Sequence, residues 1–103
     1  MDPFRLEGAA ASDFEAIWAY LHEKGGLEVA DRVVNEIYKG FERVGRVPNS
    51  GHRRPDVTDE QLLFYTVFSY LIVYNPLTDP VSIIGVFHGK RDLAGIIKQR
   101  LET

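Results

Sequence analysis

A group of polar residues directly follows an apolar run near the end of the chain. Residues 81–87 are mostly β-branched or aromatic, and His88, Gly89, Lys90 and Arg91 come next. An imidazole, an ammonium and a guanidinium this close together can hold a phosphate or a carboxylate, and the imidazole can also transfer a proton. Glycine allows the chain to turn sharply where a strand ends. The pattern predicts a small cationic patch on the rim of a sheet, suited to a phosphate or to a protein partner.

Two other kinds of site are not supported by the spacing. Ser69, His88 and Asp92 include the residue types of a hydrolase triad, but the nucleophile-elbow sequence is missing. His22 and His52 lie in other segments from His88, with no metal-ligand spacing between them, and the chain has no cysteine. We therefore expect no metal and no cofactor.

The composition describes one folded domain covering residues 1–103. Of these 103 residues, 45% are hydrophobic and 26% are charged, which is typical of a soluble protein with a single core. The formal net charge of -3 argues against a broad nucleic-acid surface, so we expect no direct, specific binding of nucleic acid. The sequence has neither a membrane-span pattern nor a signal-peptide pattern. We expect a cytoplasmic protein with no membrane contact.

Two amphipathic helices are predicted in the first half, after a short strand in residues 3–8. A capping box formed by Ser12 and Glu15 predicts the start of the first helix, and the glycine pair at residues 25–26 predicts its end. The second apolar stripe runs from residue 30 to about residue 47, just before a proline. Helices joined by so short a break pack antiparallel, and we expect Trp18 and Phe41 in their shared core.

Three strands are predicted in the second half, in residues 62–68, 70–75 and 81–88. A tight turn at Ser69 joins the first two, and residues 76–80 form the next turn. The strands are apolar on both faces, so the helix pair can cover only one of them. Residues 93–101 have helical spacing and should cover the other face, unless a partner chain does. The predicted fold is α+β, in the order β-α-α-β-β-β with a short C-terminal helix: a two-helix hairpin packed on a small, mainly antiparallel sheet.

Five segments in this order resemble the RelE/ParE superfamily of toxins from bacterial type II toxin-antitoxin systems. They are ASDFEAIWAYL, GLEVADRVVNEI, PNSGHRRPDV, YLIVY and IIGVFHGKRDL, which together extend over nearly the whole chain. The ending, an apolar strand followed by His-Gly-x-Arg-Asp, is more similar to the ParE branch than to the RelE branch.

The resemblance implies a toxin that a cognate antitoxin holds inactive by wrapping it with a C-terminal segment. ParE-type members bind DNA gyrase and block it, and this is the expected activity. The rim patch of His88, Lys90 and Arg91, together with Arg53 and Arg54 in the basic loop of residues 49–60, is the expected target-binding surface.

RelE-type members instead cut messenger RNA in the ribosome, which is the first alternative. For that reaction the candidates would be His88, Arg91, Arg53, Arg54 and Tyr74, acting as acid, base or charge-balancing groups. Residues 57–75 contain no Lys, Arg or His, and Leu62 or Leu63 stands where family members often have an arginine. We therefore expect a protein that is not an enzyme. A second alternative is an antitoxin-binding remnant without toxicity.

Overall fold

The computed structural model describes residues 2–102. It is a four-stranded sheet with helices on both faces. Its order of elements confirms the predicted α+β fold with a short C-terminal helix. The elements are β1 (Phe4–Leu6), α1 (Gly8–Arg46), a 3-10 turn (Pro48–Ser50), β2 (Leu63–Val67), β3 (Tyr70–Asn75), β4 (Val81–His88) and α2 (Leu93–Leu101). Among these described elements, no helix combines the length and the apolar character needed to cross a bilayer.

The sheet is mainly antiparallel, with strand order β1-β4-β3-β2. The predicted meander is β2, β3 and β4, and the turn between β2 and β3 consists of Phe68 and Ser69. The first strand pairs with β4 in parallel, from Phe4 opposite Val81 to Leu6 opposite Ile83. Since this pairing stops at Ile83, the second half of β4 has β3 on one side and no described strand on the other.

The predicted helix pair is present as the two arms of α1. Gly26 has φ 85° and ψ 176°, a non-helical conformation that separates residues 8–25 from residues 27–46. Only glycine adopts this backbone region readily, so the glycine pair does interrupt the helix as predicted.

The predicted capping box does not form. The helix begins at Gly8 with Glu7 as its N-cap, so Ser12 already lies inside the helix. The start is earlier because β1 leads straight into the helix: the amide of Glu7 still donates to the carbonyl of Ile83, at 3.1 Å.

The prediction for Phe41 is confirmed, whereas that for Trp18 is wrong. Phe41 is fully buried, but its partner from the first arm is Phe14, with ring centroids 5.3 Å apart. Trp18 is only half-buried at the margin of the apolar stripe. Its indole Nε1 donates to Asp31 Oδ1 at 3.0 Å, and its ring stacks on His22. Trp18 therefore joins the two arms near the surface rather than filling the core.

The two faces of the sheet bury separate apolar clusters, because side chains alternate along β3. Ile72 and Tyr74 face α1, whereas Leu71 and Val73 face α2. Leu93 and Ile97 of α2 are buried in the second cluster, so the C-terminal helix covers the second face as predicted. Asp92 caps this helix by accepting a hydrogen bond from the amide of Gly95.

Candidate functional site

The loop after β4 is held by hydrogen bonds centred on His88. The amide of Lys90 donates to Nδ1 of His88 at 3.2 Å, and the amide of Arg91 donates to the carbonyl of His88 at 3.1 Å. The amide of Gly89 donates to the carbonyl of Ser69 at 2.8 Å, which fixes the loop beside the β2–β3 turn. The cationic residues are thus supported by the sheet, as the sequence predicted.

The chain turns at Gly89 as predicted, with the amide of Arg91 donating to the carbonyl of His88 across the turn, but this turn does not require glycine. Its φ is not positive, and an added Cβ would lie 3.5 Å from the carbonyl oxygen of Ser69, which is an ordinary contact. A side chain at position 89 would therefore fit both the backbone and the space around it.

His88 is half-buried and lies between two grooves. Its ring meets the ring of Tyr70 edge-on, with centroids 5.5 Å apart. Tyr70 is buried, and desolvation, with a smaller contribution from Tyr20, raises the pKa of its phenol. The imidazole therefore packs against a neutral aromatic group.

The first groove, which we term the helix-side groove, has a volume of about 400 Å³. It lies between the first arm of α1 and the end of β4, and most of its lining is apolar or aromatic. Arg91 and Asp13 supply its charges. The lining residues are Asp13, Ala16, Ile17, Tyr20, Tyr70, Val86, His88 and Arg91.

The second groove, which we term the tip groove, has a volume of about 350 Å³ and lies between the β2–β3 turn and the loop after β4. Its lining brings Arg54 of the basic loop close to His88 and Lys90. Phe68 and Ser69 of the turn form its outer end. Four of the five predicted target-binding residues, namely His88, Lys90, Arg91 and Arg54, therefore lie around the end of β4.

The two arginines of the basic loop differ in their surroundings. Arg54 holds Asp56 in two hydrogen bonds of 3.0 and 2.8 Å, and its guanidinium lies 5.9 Å from the ring centroid of Phe64. The side-chain hydrogen bond between them lowers the pKa of Asp56 and raises that of Arg54. Arg53 is exposed and lines neither groove, so it is separate from the patch.

Tyr74 is wrong as a catalytic candidate. Its side chain is fully buried, its hydroxyl donates to the carbonyl of Pro48 at 2.7 Å, and it accepts from the amide of Gly51 at 2.9 Å. Burial raises the pKa of this phenol, with the Gly51 hydrogen bond acting in the opposite direction. Tyr74 anchors the start of the basic loop and has no access to a substrate.

An ion pair beside the helix-side groove was missed by sequence reasoning. Arg100 in α2 donates to both carboxylate oxygens of Asp13, at 2.6 and 3.3 Å, and to the carbonyl of Ile84 at 3.2 Å. Asp13 also accepts from the amide of Val86 at 3.0 Å, on the edge of β4 that β1 leaves uncovered. The two charged residues are 87 positions apart, so no local pattern connects them.

Comparisons with known proteins point in one direction. A solved structure described as the chromosomal ParDE TA system from P. aeruginosa has a TM-score of 0.71 and 20% sequence identity, over 82% of this chain and 92% of that chain. At this identity the likeness shows the fold alone. No curated protein gives a significant match. The model of the family described as the ParE toxin of type II toxin-antitoxin system, parDE, matches residues 4–93. Because that match includes both helical arms and all four strands, the chain belongs to the ParE toxin family of type II toxin-antitoxin systems.

Proposed function

We propose that this protein inhibits DNA gyrase and that a cognate antitoxin neutralises it. The observation that carries the proposal is the rim patch, where Lys90 and Arg91 are exposed on a loop that the sheet supports. A rigid loop that presents cations suits contact with a protein surface, because little side-chain and backbone order has to be created on binding.

The geometry argues against messenger RNA cleavage. That reaction needs a base for the 2′-hydroxyl, an acid for the leaving oxygen and cations for the phosphate, all within reach of one bond. Tyr74 is buried, Arg54 is bound to Asp56, and Arg53 lies outside both grooves. His88 and Arg91 alone do not supply the set. The chain also has a net charge of -3, which opposes entry into a surface of ribosomal RNA.

The helix-side groove is the proposed antitoxin site. Ala16, Ile17 and Val86 give it an apolar lining, and Tyr20 at its margin is largely exposed. An antitoxin helix or strand with Leu, Ile or aromatic anchors would bury the exposed parts of Ala16, Ile17 and Tyr20. Such anchors carry most of the affinity in interfaces of this type. Because the groove shares His88 and Arg91 with the rim patch, an occupant would also cover part of the target-binding surface.

The first prediction concerns gyrase. Purified protein added to gyrase, ATP and relaxed plasmid should suppress supercoiling and trap cleaved DNA, and prior addition of the antitoxin should abolish both effects. Arg91→Ala should raise the concentration for half-inhibition about 10-fold and Lys90→Ala by less, because a guanidinium can hold a carboxylate in two hydrogen bonds. Lys98→Ala in α2 removes an equal charge away from the rim and is the matched control.

His88→Ala separates the remaining possibilities. A contact residue should lose modest affinity, whereas a general acid or base should lose about 10²–10⁴-fold in rate. Cleavage of messenger RNA in a translation extract, with gyrase unaffected, would establish the ribonuclease alternative. Inactivity in both assays, with the antitoxin still bound, would leave the non-toxic remnant.

A further inference from the structure

The β2–β3 turn contains a phenylalanine at a position where both the backbone conformation and the solvent exposure are unfavourable for that residue type. Phe68 has φ 54°, in the left-handed region, and 61% of its surface is exposed. Two-residue hairpin turns favour glycine, asparagine or aspartate at such positions, since a Cβ is strained there. A phenylalanine neither relaxes the backbone nor gains burial at this site, so the folded chain alone gives no reason for it.

The surroundings of Phe68 are cationic, although the chain as a whole is acidic. Phe68 lies between the tip groove and a third groove of about 430 Å³, which extends along the second arm of α1. Among the described residues that line these two grooves, the cations are Lys39, Arg43, Arg54 and Lys90, and the only carboxylate is that of Glu36. An exposed aromatic side chain between two grooves that carry cations fits an interface anchor with a polar rim.

We infer that Phe68 is the residue that anchors this toxin to its target. Its ring inserts into an apolar pocket on the surface of the target protein, and acidic side chains surround that pocket. The inference rests on the proposed function, because it assigns a residue and a chemistry to target binding. A protein is favoured over nucleic acid since the chain has a net charge of -3 and, of the described aromatic residues that line these two grooves, only Phe68 is exposed. Single-stranded nucleic acid is usually bound by several stacking rings along a basic groove. The hydrogen bond from Gly89 to Ser69 attaches this tip to the loop that carries Lys90 and Arg91, so Phe68 and the rim patch lie next to each other.

The test uses substitutions at the tip of the hairpin. Phe68→Gly removes the ring and suits the left-handed backbone, so its melting temperature should equal or exceed that of the wild type. Its affinity for purified gyrase should fall about 10-fold or more. Phe68→Tyr keeps the ring and should stay within about 3-fold of the wild type, since the anchor remains. Leu77→Ala is the matched control, because Leu77 is 72% exposed in the other turn, and it should bind gyrase as the wild type does.

Antitoxin binding and growth arrest give independent measurements. Phe68→Gly should bind the antitoxin normally and should no longer stop growth when expressed without it. If Phe68→Gly binds gyrase like the wild type, or if Leu77→Ala loses as much affinity, the inference is wrong while gyrase inhibition stands. If the wild type does not bind gyrase but still stops growth, the proposed function is wrong. In that case the role of Phe68 as an anchor is supported only if Phe68→Gly, and not Leu77→Ala, abolishes growth arrest. A wild-type protein without toxicity would contradict both the proposed function and the anchor. Tight binding of a fluorescent single-stranded oligonucleotide that depends on Phe68 would contradict a protein target and indicate nucleic acid instead.

Discussion

Tyr74 shows how a single side chain can be misjudged from sequence. It follows a run of apolar strand residues, and its hydroxyl suggested chemistry, but the partners of that hydroxyl, Pro48 and Gly51, lie more than twenty positions away. The rim residues His88, Lys90 and Arg91 were predictable because they follow one another directly in the chain. Asp13 and Arg100 were not, since only the fold brings them together.

Replacing Tyr74 by phenylalanine should lower the free energy of unfolding by about 1–2 kcal/mol, because the amide of Gly51 and the carbonyl of Pro48 lose their buried partner. The pH dependence should change as well. Burial raises the pKa of Tyr74 above its ordinary value of 10.0, so the unfolded chain loses this proton first as the pH rises. The contribution of this phenol to stability should therefore be complete below about pH 10 and be lost as the pH rises through the raised pKa. In Tyr74→Phe the alkaline fall should be shallower, as measured by urea unfolding at pH 8 to 11; identical slopes would contradict the assignment.

At the level of elements, the patterns that depend on neighbouring residues predicted well. The three strands of the meander, the C-terminal helix and its Asp92 cap were all found, because alternation, helical spacing and capping are local. The failures arose where tertiary contacts override local preference. The capping box at Ser12 did not form because β1 fixes Glu7 against Ile83 and so starts the helix earlier. Trp18 was misplaced because an apolar stripe does not say which of its members faces the sheet.

The break between the two arms of α1 depends on Gly26. Gly26→Ala should lower the free energy of unfolding by about 1–3 kcal/mol, because an alanine is strained at φ 85° and ψ 176° although nothing lies within 4 Å of its Cβ. Gly8→Ala is the control: its Cβ also meets nothing within 4 Å and its φ is not positive, so stability should hold or rise slightly. Thermal melting of both variants distinguishes backbone strain from packing, and equal melting temperatures would exclude the strain.

In the molecule as a whole, three elements meet at the Asp13–Arg100 pair. Asp13 belongs to the first arm of α1, Arg100 to α2, and both bond the backbone of β4 between them. The side chains of Asp13 and Arg100 are only 14% and 22% exposed. This ion pair therefore joins the two helices that cover opposite faces of the sheet, at the edge of β4 that β1 leaves open.

Asp13→Asn should lower the free energy of unfolding by about 2–3 kcal/mol, because the largely buried guanidinium of Arg100 loses the carboxylate that accepts two of its hydrogen bonds. Asp56→Asn breaks an ion pair on the exposed surface and should leave the urea midpoint unchanged. If the two variants unfold at the same urea midpoint, the Asp13–Arg100 pair does not stabilise the packing of the two helices on the sheet.

The parallel pairing of β1 with β4 also determines when the protein can fold. Residues 4–6 pair with residues 81–83, and Asp13 pairs with Arg100, so both contacts join distant parts of the chain. A chain emerging from the ribosome therefore holds its first strand unpaired until residue 83 has been synthesised, and contacts between such distant residues form slowly. The rim patch at residues 88–91 is supported by the hydrogen bond from Gly89 to Ser69, which requires β4 to lie beside β3. The proposed target-binding surface consequently cannot form before residue 91 has been synthesised.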